Sequence, residues 1–182
     1  MMTKDIKEIL VTKEAIEKRT CELAKEISYD YAGKKPLLIG LLKGSIPFMA
    51  ELMKSINIYA QTEYMAVSSY GNGTTSSGVV TITKDIDISL EGRDIIIVED
   101  IIDTGRTLAD VVKVLKGRGA NSVEIVCLLN KPSRRVVEMD VKYIGFEVED
   151  KFVVGFGLDY AELYRNLPYI GVLKEEVYKG GN

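Results

Sequence analysis

The sequence predicts an α/β fold, a parallel sheet with helices on both faces, and three observations predict it. Three short, almost uninterrupted apolar runs, Leu37 to Leu42, Asp94 to Val98 and Ser122 to Leu129, have the length of strands buried on both faces. Glycine-bearing turns and segments of helical periodicity alternate with these runs, as βαβ units require. No internal repeat and no shift in composition marks a linker, so one domain over residues 1–182 is expected.

Each element has a local reason. Thr12 to Tyr31 reads as a helix: Ile16, Leu23, Ile27 and Tyr31 share a face, Thr12 can cap the start and Gly33 can end it. Pro36 opens the first apolar strand, Lys43-Gly44-Ser45 breaks it, and Ile46 to Ile56 resumes helical spacing. Glu63 to Ser69 and Val79 to Thr83 read as strands around a polar loop. Asp94 to Val98, with three consecutive isoleucines, is the second buried strand. A helix follows over Thr107 to Gly117, with Leu108, Val111, Val112 and Leu115 apolar. Ser122 to Leu129, Lys142 to Phe146 and Val153 to Phe156 complete the expected strands. The core is expected over about 35–140, with a small hood from the N-terminal segment and about 145–182.

Composition narrows the chemistry. With 182 residues, 46% hydrophobic, the chain can bury one sizeable core. A net charge of −3 lacks the basic excess that binding a nucleic-acid backbone leaves, so no nucleic-acid partner is expected. No apolar run approaches the roughly 18 to 20 residues that span a bilayer, and no secretory signal is visible after Met1. Cys21 and Cys127 are expected to be free thiols, and the chain to be cytoplasmic. There is no histidine, which removes Ser-His-Asp and Cys-His nucleophilic sites and every histidine-based zinc motif. Acid-base work falls to Asp, Glu, Lys, Tyr or Cys, and any metal is expected to be a hard ion such as Mg²⁺.

The segment Asp94-Ile-Ile-Ile-Val-Glu99-Asp100-Ile-Ile-Asp103-Thr104-Gly105-Arg106-Thr107 carries the functional reading. A buried strand ends in two carboxylates, a third follows, and Thr-Gly-Arg-Thr leads into a helix. A helix start beyond a strand's carboxyl end offers free N–H groups and a positive dipole end to an anion. Thr104 and Thr107 add hydroxyls, and Gly105 permits close approach. Glu99 and Asp100 can accept from vicinal hydroxyls, directly or through Mg²⁺-bound water. Acceptors for a sugar diol beside donors for a phosphate match a ribose 5-phosphate. Acids that merely complement a helix dipole are the plainer reading, but three acids, two threonines and a glycine in this order are more than a dipole asks for. Gly71-Asn-Gly73 and Gly155-Phe-Gly157 begin like dinucleotide fingerprints without completing them, and no P-loop pattern occurs.

Val98 to Leu108 resembles the phosphoribosyl-diphosphate motif of type I phosphoribosyltransferases, in the form found in 6-oxopurine enzymes. The resemblance, close to the hypoxanthine phosphoribosyltransferases, covers nearly the whole chain. It implies that Glu99 and Asp100 hold the ribose hydroxyls and, with Asp159, serve Mg²⁺. It implies that Asp103, Thr104, Gly105, Arg106 and Thr107 cradle the 5-phosphate, and that Asp103 does acid-base work near N7 of the purine.

The same resemblance gives meaning to weaker segments. Lys43-Gly44, by itself a strand-to-helix turn, becomes a diphosphate loop, and Arg165 a second diphosphate contact. The polar run from Ser68 to Gly78 reads only as a mobile loop, and the resemblance makes Ser69 and Tyr70 the lead of a lid. Lys131, at a strand's carboxyl end, would read the 6-oxygen of the base. Phe152, which alone reads as core, would stack on the purine, and Val153 would meet its edge through the backbone. Implied partners are phosphoribosyl diphosphate, hypoxanthine or guanine, and IMP or GMP, in a homo-oligomer (dimer or tetramer). The rivals are a non-catalytic nucleotide-sensing regulator on the same fold and a transferase preferring xanthine or another base.

Overall fold

The computed structural model describes residues 2–68 and 80–179. Its main sheet contains β2 (Leu37–Leu41), β3 (Gln61–Ser68), β4 (Thr81–Lys84), β5 (Asp94–Ile102), β6 (Ser122–Asn130) and β7 (Tyr143–Glu147). The strand order is β4-β3-β2-β5-β6-β7, parallel throughout except for β4, which runs antiparallel to β3 at one edge. β1 (Ile6–Val11), β8 (Val153–Val154) and β9 (Ile170–Leu173) form a separate antiparallel sheet in the order β1-β9-β8. The hood expected from the two chain ends is this sheet.

Two-residue alternation divides the core. Leu38, Ile96, Val98, Val126 and Leu128 face α1 (Lys13–Asp30) and α2 (Ile46–Ser55). Leu37, Ile39, Ile95, Ile97 and Ile125 face α3 (Arg106–Gly117) together with Ile86 and Leu90. Helices on both faces are why these strands lack the polar alternation of a half-exposed sheet. Thr12 caps α1, its Oγ accepting from the Ala15 N–H at 3.2 Å, and Gly33 turns the chain away with φ +77°. Arg19 on α1 reaches across to donate to the Gly145 and Ile144 carbonyls at 3.2 and 2.8 Å. Those carbonyls belong to the edge strand β7, so the arginine ties α1 to that edge.

Two strand boundaries near the site differ from expectation, and three elements were not foreseen. β5 does not stop at Val98; Glu99 and Asp100 lie inside the strand, because β6 goes on pairing with it (Glu99 opposite Cys127, Ile102 opposite Asn130) after its pairing with β2 ends at Val98. The strand expected over Val153 to Phe156 shortens to Val153–Val154, since Gly155, Phe156 and Gly157 all take positive φ. The sequence reading did not identify β1, β9 or the short α4 (Glu175–Lys179).

Candidate active site

The parallel strands bring their carboxyl ends to one edge, where ligands of open α/β sheets bind. A cleft of about 370 Å³ opens there, lined by Lys43, Gly44, Glu99, Asp100, Asp103, Thr104, Gly105, Thr107 and Arg165. A second cleft of about 570 Å³ adjoins it, lined by Lys131, Phe152, Val153 and Asp159 and sharing Asp100, Ile101 and Asp103 with the first. The residues singled out from sequence therefore converge, with two exceptions. Arg106 is exposed at the start of α3 and is not on the cleft wall, and Ser69 and Tyr70 lie outside the described residues. A wider hollow of about 650 Å³, between Gly33–Lys35 and Ile56–Tyr59, lies at the strands' amino ends and holds none of these groups.

The acid pair is poorly neutralised. Glu99 Oε2 is sealed from solvent with no hydrogen-bond partner. Burial, and secondarily the Asp100 charge, holds the Glu99 carboxyl well above its ordinary range. Burial pushes Asp100 up to about 6, opposed by backbone N–H groups and the Arg165 guanidinium. Asp100 Oδ1 accepts from the Ile101 N–H at 2.7 Å. A half-buried, under-paired carboxylate pair on a cleft wall favours hydroxyl donors or a cation.

Around the pair the chain is tightly built. The turn from β2 to α2 lies against Asp100: a Cβ on Gly44 would sit 1.6 Å from Asp100 Oδ2, so any other residue here would displace the acid. The hood comes down onto the same turn, a Cβ on Gly157 falling 1.9 Å from the Gly44 carbonyl oxygen. The Leu42–Lys43 peptide is cis. On the other side, α3 begins after Gly105, whose φ is +80° and which has no side chain to cap the helix. The Arg106 N–H donates to the Thr104 hydroxyl over a long 3.5 Å, so the helix start stays largely open and suited to an anion.

Asp103 follows β5 and is held by two arginines. Arg134 Nε donates to its Oδ1 at 3.1 Å, while Arg135 Nε donates to its backbone carbonyl at 3.3 Å. Arg134 also reaches Asp150 at 3.4 Å. Lys131, buried at the end of β6, donates to the Lys151 carbonyl at 2.6 Å. An ammonium has three hydrogens, so donors remain for a ligand. Phe152 is 40% exposed, an unusual position for an aromatic side chain with only a core role.

Asp159 and Arg165 are not free surface charges. Asp159 Oδ2 accepts from the Glu162 N–H at 2.9 Å, and its Oδ1 lies 2.8 Å from Arg165 Nη2. Arg165 Nη1 donates to the Gly157 carbonyl at 2.7 Å, while its Nε is sealed from solvent without a partner. Three participants escaped the sequence reading. Tyr178 stacks on Phe152 with centroids 4.7 Å apart and planes 16° apart. Arg134 grips Asp103, and Glu162 bridges Lys43 and Arg165 at 2.7 and 3.3 Å. Nothing in their local sequence separates them from solvated side chains; an aromatic near the chain end was the one available signal, for Tyr178.

Comparison with known proteins agrees with this geometry. Residues 7–161 match the model of the phosphoribosyl transferase domain. Curated hypoxanthine-guanine phosphoribosyltransferases of Streptococcus agalactiae serotype V and Streptococcus mutans are 55% and 56% identical, each over 98% of this chain and 99% of theirs. A crystal structure of a Staphylococcus aureus hypoxanthine phosphoribosyltransferase superposes with a TM-score of 0.95 at 49% identity, covering 100% of this chain and 97% of that one. Over nearly its full length, in sequence and in fold, the chain belongs to the phosphoribosyltransferase family, among its hypoxanthine-guanine members.

Proposed function

We propose that the chain transfers the 5-phosphoribosyl group from phosphoribosyl diphosphate to N9 of hypoxanthine or guanine, releasing diphosphate and IMP or GMP in purine salvage. The observation that carries this is the pair of adjoining clefts. One joins an under-neutralised acid pair to an open helix start, and the other joins a buried lysine to an exposed aromatic ring.

In this reading Glu99 and Asp100 accept from the ribose hydroxyls, and the N–H groups opening α3, with Thr104 and Thr107, hold the 5-phosphate. Arg106 contributes through its backbone. Positive charge develops at the anomeric carbon as the leaving group departs, next to carboxylates already in place, and preorganised charge of this kind lowers a barrier effectively. Lys43, Gly44 and Arg165 receive the diphosphate. Phe152 and Ile101 flank the base, Val153 meets its edge through the backbone, and Lys131 donates to a 6-oxygen. Adenine's 6-amino group cannot accept that donation, and leaving the donor unpaired costs roughly 1–3 kcal/mol. Asp103 keeps one carboxylate oxygen clear of Arg134 for the proton at N7. Ser69 and Tyr70 are assigned to a lid that excludes water.

The donor set suits Mg²⁺. Among the described residues no three acidic, cysteine or histidine side chains converge to cage an ion by themselves. Mg²⁺ ordinarily binds through one or two carboxylates plus substrate oxygens and water, which Glu99 and Asp100 on one side and Asp159 on the other would provide. When bound, the ion neutralises charge on the departing diphosphate. The assignment extends to one domain over 1–182, with core about 35–140 and hood from the chain ends, working in the cytoplasm as a dimer or tetramer. No helix among the described residues is long and apolar enough to cross a membrane.

A panel of bases tests the reading: purified protein, phosphoribosyl diphosphate, Mg²⁺ and one base at a time, with nucleotide formation followed by chromatography. Products from hypoxanthine and guanine are expected. Activity with adenine alone would overturn the role of Lys131, and silence with every base would overturn the enzyme assignment.

A further inference from the structure

We infer that Glu162 is a built-in stand-in for the diphosphate: it occupies the two cations of the leaving-group site between turnovers and sets how readily diphosphate is exchanged. The inference rests on the reading of Lys43 and Arg165 as the diphosphate cations.

The geometry is specific to a carboxylate shared between those two groups. Glu162 Oε2 accepts from Lys43 Nζ at 2.7 Å, and Oε1 accepts from Arg165 Nη2 at 3.3 Å. One carboxylate thus joins residues 119 positions and 3 positions away, on the core and on the hood. The Lys43 ammonium, and then Arg165, holds its carboxyl below the usual range. The backbone is bent to put it there: Ala161, Glu162 and Tyr164 take φ of +51°, +65° and +74°, a region that side-chain-bearing residues rarely enter. The Glu162 N–H, bonded to Asp159 at 2.9 Å, fixes the turn.

Exposure makes the contact displaceable. The side chains of Lys43 and Glu162 are both 63% exposed, and exposed ion pairs are worth little. A diphosphate carries more charge than one carboxylate and can replace it on both cations. A resident carboxylate keeps Lys43 from being left bare when the site is empty, adds to the pairing that Arg165 already has with Asp159, and competes with product diphosphate. Tight leaving-group binding would slow each turnover, so a weak internal competitor favours exchange. A plain surface ion pair holding hood to core predicts the opposite sign, because cutting it would loosen the site and weaken diphosphate binding.

The test is calorimetric titration of magnesium diphosphate into the native chain, E162Q, K43A, R165K and the K43A/E162Q double variant, with circular dichroism establishing folding. Glu162→Asn, which suits a left-handed backbone, serves as a second neutral variant. The neutral variants are expected to bind diphosphate roughly three- to tenfold more tightly, as loss of weak competing pairs allows. K43A should bind more weakly, and the gain from E162Q should shrink in the K43A background. In steady-state assays the neutral variants should show a lower KM for phosphoribosyl diphosphate with kcat not raised. If K43A weakens binding while folded E162Q and E162N bind no more tightly than the native chain, the stand-in role is overturned and the cation assignment stands. If neither K43A nor R165K changes diphosphate affinity, the cation assignment itself is overturned, and the inference with it.

Discussion

Asp103 illustrates how far single residues go. Its position after the acid pair was legible from the motif, whereas its ion pair with Arg134 depends on a short 3₁₀ turn at Pro132–Arg134 that follows β6. Asp103→Asn keeps the shape and the Arg135 contact to the backbone but removes the proton acceptor. Turnover should fall about 10² to 10⁴-fold with nucleotide affinity nearly unchanged, which single-turnover kinetics and nucleotide titration would show; unaltered turnover would remove Asp103 from proton transfer. The two thiols give a second residue-scale prediction. Cys21 is exposed on α1, while burial, then the nearby Glu99 charge, pushes Cys127 up to about 12. Only the thiolate reacts, and the raised pKa keeps Cys127 protonated at pH 8. A thiol reagent at pH 8 should therefore modify one cysteine per native chain and two after denaturation.

At the scale of elements, α3 does two jobs with one sequence. Its apolar face buries Leu108, Val111 and Leu115 against the sheet, and its start at Gly105 lines the first cleft. Leu115 is fully buried and far along the helix from that start. Leu115→Ala should cost about 2–5 kcal/mol in chemical denaturation while leaving KM for phosphoribosyl diphosphate within about twofold. A large rise in KM at constant stability would mean the helix start is less independently fixed than its geometry indicates. The periodicity that located α1, α2 and α3 is local and so was readable. β1 was not, because in Ile6-Lys-Glu-Ile-Leu-Val11 only Val11 is buried and its partner Ile170–Leu173 lies at the other end of the chain. The long β5 was cut short in the sequence reading because two acids looked like a strand end, whereas pairing with β6 carries the strand through them.

The whole molecule places a small sheet from the chain ends against the carboxyl edge of a parallel sheet, and the site lies where they meet. Gly157 rests on the Gly44 carbonyl, and Lys151 pairs with Glu8 within the hood at 3.0 Å. In the proposed reading Mg²⁺ arrives with substrate oxygens rather than in a cage of protein side chains, so it is not expected to hold the two sheets together. Chelation with EDTA should abolish nucleotide formation and leave the thermal midpoint followed by circular dichroism unchanged. A drop of several degrees would instead indicate a structural ion.

Local pattern was enough for the α/β class, the succession of the main sheet's strands and helices, the exclusion of histidine chemistry and the motif from Glu99 to Thr107, because periodicity and motif spacing act over a few residues. Tertiary structure alone decided that Tyr178 stacks on Phe152, that Arg134 grips Asp103 and that Glu162 spans Lys43 and Arg165. Those contacts join residues whose neighbours in sequence carry no trace of them. They exist because burying two apolar faces brings distant segments to one edge, where charges that would otherwise be solvated must find partners.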